Sequence, residues 1–140
     1  MIGNSYADDT LAYAARIAGS YGINVNLWDA FIASCTIDMH YSNIQSGATS
    51  YSMRRMNGDS WDYRDNKSLT EILNFTDWDI ITFQQASAVV GLPDSYNNLG
   101  NLVTAVKGIV GDDVSLKWYS TWANDNDYMK TLTPNPIHYL

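Results

Sequence analysis

The side chains that could do chemistry fall into four short clusters: Asn4-Ser5-Tyr6, Ala33-Ser34-Cys35, Gln84-Gln85-Ala86-Ser87 and Trp122-Ala123-Asn124. Together they supply a hydroxyl, a small-residue loop rich in backbone amides, a pair of side-chain amides and an indole. A serine surrounded by neutral N–H donors suits acyl transfer, because a tetrahedral oxyanion needs donors placed in advance. Ser5 follows a short apolar start and Gly3, and a helical pattern opens soon after it. Such a hydroxyl is lifted clear of a sheet and sits near the positive end of a helix. The plainer reading of Gly3-Asn4-Ser5 is a helix cap, made by Ser5 or Asp8.

These clusters matter only if the chain brings them together, so the elements between them come next. Leu11, Ala14, Ala15 and Ala18 recur at helical spacing with Gly22 beyond, which predicts a first helix over residues 9–21. Residues 23–27 alternate apolar and polar and predict a second strand, with Phe31-Ile32 extending its apolar character. Thr36 caps a predicted helix carrying Ile37, Tyr41 and Ile44 on one face. Residues 51–63, with Asn57-Gly58 at their centre, predict a β-hairpin outside the main sheet. Ser68-Leu69-Thr70-Glu71 has the spacing of a capping box. Ile80-Ile81-Thr82-Phe83 reads as a buried strand. A stripe from Leu99 through Val103 and Val106 to Val110, closed by Gly111, predicts a long helix, and residues 116–122 predict the last strand.

Alternating strands and helices imply a three-layer α/β/α fold, flavodoxin-like, with a mostly parallel sheet and an inserted hairpin near 51–63. In such sheets sites form beyond the carboxyl ends of the strands, where all four clusters fall. Residues 1–140 read as one domain. The net charge of −7 and the lack of any basic cluster beyond Arg54-Arg55 argue against a nucleic-acid partner. The single cysteine, Cys35, excludes an internal disulfide, and a buried inert thiol is expected there. No apolar run is long enough to span a membrane, and no secretory signal opens the chain. The residues as given therefore read as soluble; a signal peptide removed from a longer precursor would leave the same residues and an extracytoplasmic protein. No cofactor or metal site is expected: Asp8-Asp9 suits a helix first turn, and residues 124–127 lack the glycine and glutamate of a calcium loop.

Gly3-Asn4-Ser5-Tyr6 resembles the Gly-Asp-Ser block of the SGNH (GDSL-like) hydrolases, with Asn for Asp. More closely, the chain resembles an uncharacterised bacterial SGNH-like family. Its marks appear here as Gly3-Asn4-Ser5-Tyr6, Ala33-Ser34-Cys35-Thr36 with His40-Tyr41, the block from Trp78 to Ser87, and Ser120-Thr121-Trp122-Ala123. The block from Trp78 to Ser87 is the specific part. The resemblance implies a serine esterase, deacylating a carbohydrate or small-molecule ester, with Ser5 as nucleophile. It implies oxyanion donors from the backbone of Ser5 and of Ser34 (or Ala33), with Gln84 or Gln85 completing the hole. Asn4, His40, Ser87 and Trp122 are the expected substrate-facing residues. The resemblance also implies an Asp-x-x-His base near the carboxyl end, a spacing that these residues do not contain. The chain accordingly reads as cut before that block, and at its first strand too, and as a poor esterase by itself. The alternative is a non-catalytic carbohydrate-binding protein or an inactive fragment on the same fold.

Overall fold

A computed structural model describes residues 1–57 and 60–121. The chain order is β1 (Ile2–Gly3), α1 (Ser5–Ser20), β2 (Asp29–Phe31), α2 (Ile37–Ser46), β3 (Tyr51–Asn57), β4 (Ser60–Lys67), α3 (Leu69–Leu73), β5 (Ile80–Phe83), two short 3-10 turns (Ser87–Val89 and Pro93–Tyr96), α4 (Leu99–Val110) and β6 (Ser115–Trp118). The six strands form one sheet in the order β4-β3-β2-β1-β5-β6. β1 is parallel to both β2 and β5, and β5 is parallel to β6. β2–β3 and β3–β4 are antiparallel. The expected α/β architecture, a mostly parallel sheet flanked by helices with a hairpin, is the observed one.

One face of the sheet carries the main core. Ile2, Ala30, Met53, Ile81 and Phe83 meet Ile37 of α2, Leu69, Ile72 and Leu73 of α3, and Leu102 and Val106 of α4. Leu102 and Val106 are fully buried, each worth about 1.5–3 kcal/mol of transfer free energy. Leu99 and Val103 pack against that core partly buried, as the apolar stripe requires. Side chains alternate across a strand, so Arg54, next to buried Met53, faces the other side. There it pairs with Asp8 of α1 at 2.7 Å, which sets α1 on the opposite layer.

The helix ends follow their chemistry. Thr36 accepts from the Met39 amide at 3.2 Å, and α2 closes on Gly47 in the left-handed region. Ser68 and Glu71 form the expected capping box.

Three expectations need correction. The hairpin does not stand outside the sheet: β3 pairs with β2, Ala30 opposite Met53, because Tyr51 and Met53 bury their side chains in the common core. Its second strand runs on to Lys67, and residues 58–59 of its turn lie outside the described residues. Residues 23–27 form no strand, and the second strand is instead Asp29–Phe31. The first helix starts at Ser5, with Asn4 rather than Ser5 or Asp8 as its cap.

Candidate functional site

Asn4 is the centre of the carboxyl-end loops. It is buried at the bend between β1 and α1, and its side chain makes three hydrogen bonds. Its Oδ1 accepts from the Tyr6 amide at 3.3 Å and from the Gln84 side-chain amide at 2.7 Å. Its Nδ2 donates to the Cys35 carbonyl at 3.1 Å. One short side chain thus caps α1 and ties the loop after β2 and the end of β5 to the same point. The close approach depends on Gly3, where an added Cβ would lie 2.9 Å from Gln84 Cδ and 3.1 Å from Ala7 Cβ.

Ser5, the next residue, is exposed at the first position of α1. The amides of a helix's first turn have no intrahelical partners and carry a partial positive charge. A developing oxyanion beside Ser5 would meet that potential.

Ser34 is also exposed and adopts a left-handed backbone, φ 54°. It lies in a β-turn closed by the Cys35 amide on the Ile32 carbonyl at 3.2 Å. A turn with a left-handed third residue favours glycine, so a serine there is strained by about 1–2 kcal/mol. The turn is held against the Asn4 anchor by the bond from Asn4 Nδ2 to the Cys35 carbonyl.

The two glutamines do different work. Gln84 is fully buried; its Nε2 holds Asn4, and its Oε1 has no hydrogen-bond partner among the described residues. Gln85 is fully buried and saturated. Its Oε1 accepts from the Ile37 and Ala86 amides at 3.1 and 2.8 Å, and its Nε2 donates to the Ser95 carbonyl at 2.7 Å and to Ser95 Oγ at 3.2 Å. Gln85 therefore braces the start of α2 and the 3-10 turn Pro93–Tyr96, and offers no free atom to a substrate.

His40 lies in the core. Its side chain is fully buried, its Nδ1 shares a hydrogen bond with the Tyr51 hydroxyl at 2.9 Å, and the two rings stack. Burial pushes its pKa down to about 4, so it is neutral near pH 7. A side chain with no exposed surface cannot face a substrate, and the sequence expectation for His40 is corrected accordingly. Ser87 is exposed and opens a 3-10 turn just past Gln85. Cys35 is fully buried, and burial raises its thiol to about 12, so it is inert as a nucleophile. Trp122, the expected indole of the site, lies outside the described residues, as does His138.

The structure thus brings Asn4, Ser5, Ser34, Gln84, Gln85 and Ser87 to one end of three adjacent parallel strands. Of these, Ser5, Ser34 and Ser87 reach the surface, and Asn4, Gln84 and Gln85 lie beneath them.

A family model for a domain of unknown function, DUF4886, matches residues 1–132. The chain belongs to the DUF4886 family. A solved DUF4886 protein from Bacteroides uniformis ATCC 8492 is 28% identical and superposes with a TM-score of 0.83. The match covers 93% of this chain and 53% of that one, so this DUF4886 chain spans about half the length of its solved relative. No curated protein matches it. Among the described residues no helix is long and apolar enough to cross a membrane, and no group of metal-ligating side chains is present.

Sequence reasoning missed the role of Asn4 in this DUF4886 chain. The available signal was Gly3 followed by a residue type that caps helices well, immediately before a helical pattern. It also missed Ser95, which anchors Gln85 and bonds the Val89 and Leu92 carbonyls at 2.9 and 2.7 Å.

Proposed function

We propose that this chain is an SGNH-like serine esterase domain, with Ser5 as the nucleophile and a carbohydrate or small-molecule ester as substrate. The observation that carries the reading is an exposed serine at the first position of α1, directly after the buried Asn4 anchor that caps the helix. In this reading the Ser5 Oγ–carbon bond forms as the ester C–O bond breaks, giving an acyl-serine and the free alcohol. Water then cleaves the acyl-serine to the acid and restores Ser5. The Ser5 proton passes to a base outside the described residues, since His40 is locked in the core. The oxyanion is held by the Ser5 amide at the helix start and by the backbone of the 33–35 turn. Gln84 and Gln85 act as braces for those donors, and the sugar assignment follows the resemblance to the SGNH hydrolases alone.

The rival reading is a binding protein that keeps the surface of Ser5, Ser34 and Ser87 without catalysis. It is favoured by the commitment of both glutamine amides to internal bonds. Incubating the full-length gene product with a phosphonate ester and mapping the adduct by mass spectrometry separates the two. A single adduct on the peptide containing Ser5 supports the esterase. Labelling elsewhere, or none, supports the binding protein.

A further inference from the structure

β4 is an edge of the sheet, and among the described residues no strand pairs with its far side. It runs for eight residues, Ser60–Lys67. Successive residues of a strand direct their N–H and C=O groups to opposite sides, so the bonds already formed show which groups of β4 point outward. The amides of Ala30 and Ile32 donate to Met1 and Gly3, so Asp29 and Phe31 turn toward β3 and meet Arg54 and Ser52. Met53 and Arg55 then turn toward β4, where they meet Arg64 and Asp62. That leaves Trp61 and Tyr63, and Asp65 by the same alternation, with backbone groups aimed away from the sheet. The left-handed Asn66, φ 55°, beside a register shift, ends this run.

The side chains along the run alternate in kind as well as in direction. Asp62 and Arg64 share one face of the strand. Asp62 accepts from Arg55 at 2.9 Å, while Arg64 lies over the rings of Trp28 and Phe75 at 5.4 and 4.7 Å. Arg64 has no carboxylate partner among the described residues. Trp61 and Tyr63 stand on the other face with their rings 6.5 Å apart, and Tyr63 is 55% exposed.

We propose that this edge takes a second copy of the chain, paired antiparallel through residues 61–65 about a two-fold axis at Tyr63. Outward groups must meet outward groups, which within the run puts the axis at Asp62, Tyr63 or Arg64. An axis at Asp62 sets two carboxylates face to face, and one at Arg64 sets two guanidiniums face to face. With the axis at Tyr63, Asp62 of each copy lies opposite Arg64 of the other, and the two Tyr63 rings meet at the centre. Charged residues on an edge strand ordinarily keep copies apart. Here their signs block the neighbouring registers and favour this one. The pairing joins two six-stranded sheets into one. β3 and β2 separate β4 from β1, so Ser5 stays open in the dimer, and the two Ser5 surfaces lie at opposite ends of the joint sheet. The inference is independent of the esterase reading.

The test is sedimentation of the full-length gene product at high micromolar concentration, comparing the parent with Arg64→Asp and Asp62→Arg. The parent is expected to be a dimer. Either variant alone sets like charges opposite each other at both contacts and should weaken self-association by about tenfold or more. An equimolar mixture of the two variants restores opposite charges at both contacts and should dimerise as the parent does. Tyr63→Pro, whose lost N–H faces away from β3, should keep a thermal midpoint near the parent's and lose the dimer. A monomeric parent overturns the proposal. So does a dimer that the charge variants or Tyr63→Pro leave intact, or a mixture of folded charge variants that stays monomeric.

Discussion

The side-chain amide of Gln84, at the end of β5, donates to Asn4 Oδ1 across 2.7 Å in a fully buried setting. Eighty residues of chain separate the two, and the bond fixes the residue directly before Ser5. The geometry of the serine thus depends on two amides that never reach the surface.

Removing the Asn4 side chain costs the α1 cap, about 1 kcal/mol, and strands the Gln84 amide and the Cys35 carbonyl, about 1–3 kcal/mol each. Asn4→Ala is expected to lower unfolding stability by about 3 kcal/mol or more in urea titrations. Asn4→Asp keeps the acceptor for Gln84 and Tyr6 but cannot donate to Cys35, and it buries a charge. It should also destabilise, and its deficit should shrink as the pH falls and the carboxyl takes up a proton.

Ser34 sits at φ 54°. Ser34→Gly relieves that strain but gives the unfolded chain more freedom, so the net gain is at most about 1 kcal/mol. Ser34→Val, β-branched at the same angle, should lose about 1–3 kcal/mol. Thermal midpoints of the two variants against the parent check the order Gly, Ser, Val.

Two buried groups tilt the pH profile in opposite directions. His40 is held near 4 by burial, below its ordinary 6.5, so the unfolded chain binds the extra proton between those values. Stability from His40 is full above pH 6.5 and is lost as the pH falls toward 4. Asp29 is fully buried, and burial raises its carboxyl to about 7, above 3.8. Its stability is full below pH 3.8 and is lost as the pH rises through 7. The difference in unfolding free energy between Asp29→Asn and the parent should therefore move in favour of the variant as pH rises from 4 to 7. The slope approaches about 1.4 kcal/mol per pH unit. A flat difference profile would mean that Asp29 is not protonated in the fold.

Much of the fold was legible in the sequence because its signals are local. Thr36 and the Ser68–Glu71 box set helix starts within their own turns, and the stripe of α4 faces one core. The errors came where a partner decides. Residues 23–27 alternate as a strand should, but alternation names a face and not a neighbour. The hairpin's place in the sheet follows from Ala30 lying opposite Met53, a contact that local pattern cannot show. The strand-end rule collected loops that do lie together beyond the carboxyl ends of β1, β2 and β5. It could not tell the exposed serines from the buried amides, because Gln84 and Gln85 are equally polar in sequence and differ only in what they hold. His40 was misplaced for the same reason: its partner, Tyr51, lies on another element.

The central claim is that Ser5 is the nucleophile. Acetyl-ester turnover by the full-length gene product, measured with serine and then alanine at position 5 in equally folded samples, tests it most directly. The account predicts a fall of about three powers of ten or more in kcat/KM for Ser5→Ala. Equal turnover by the two proteins would contradict it.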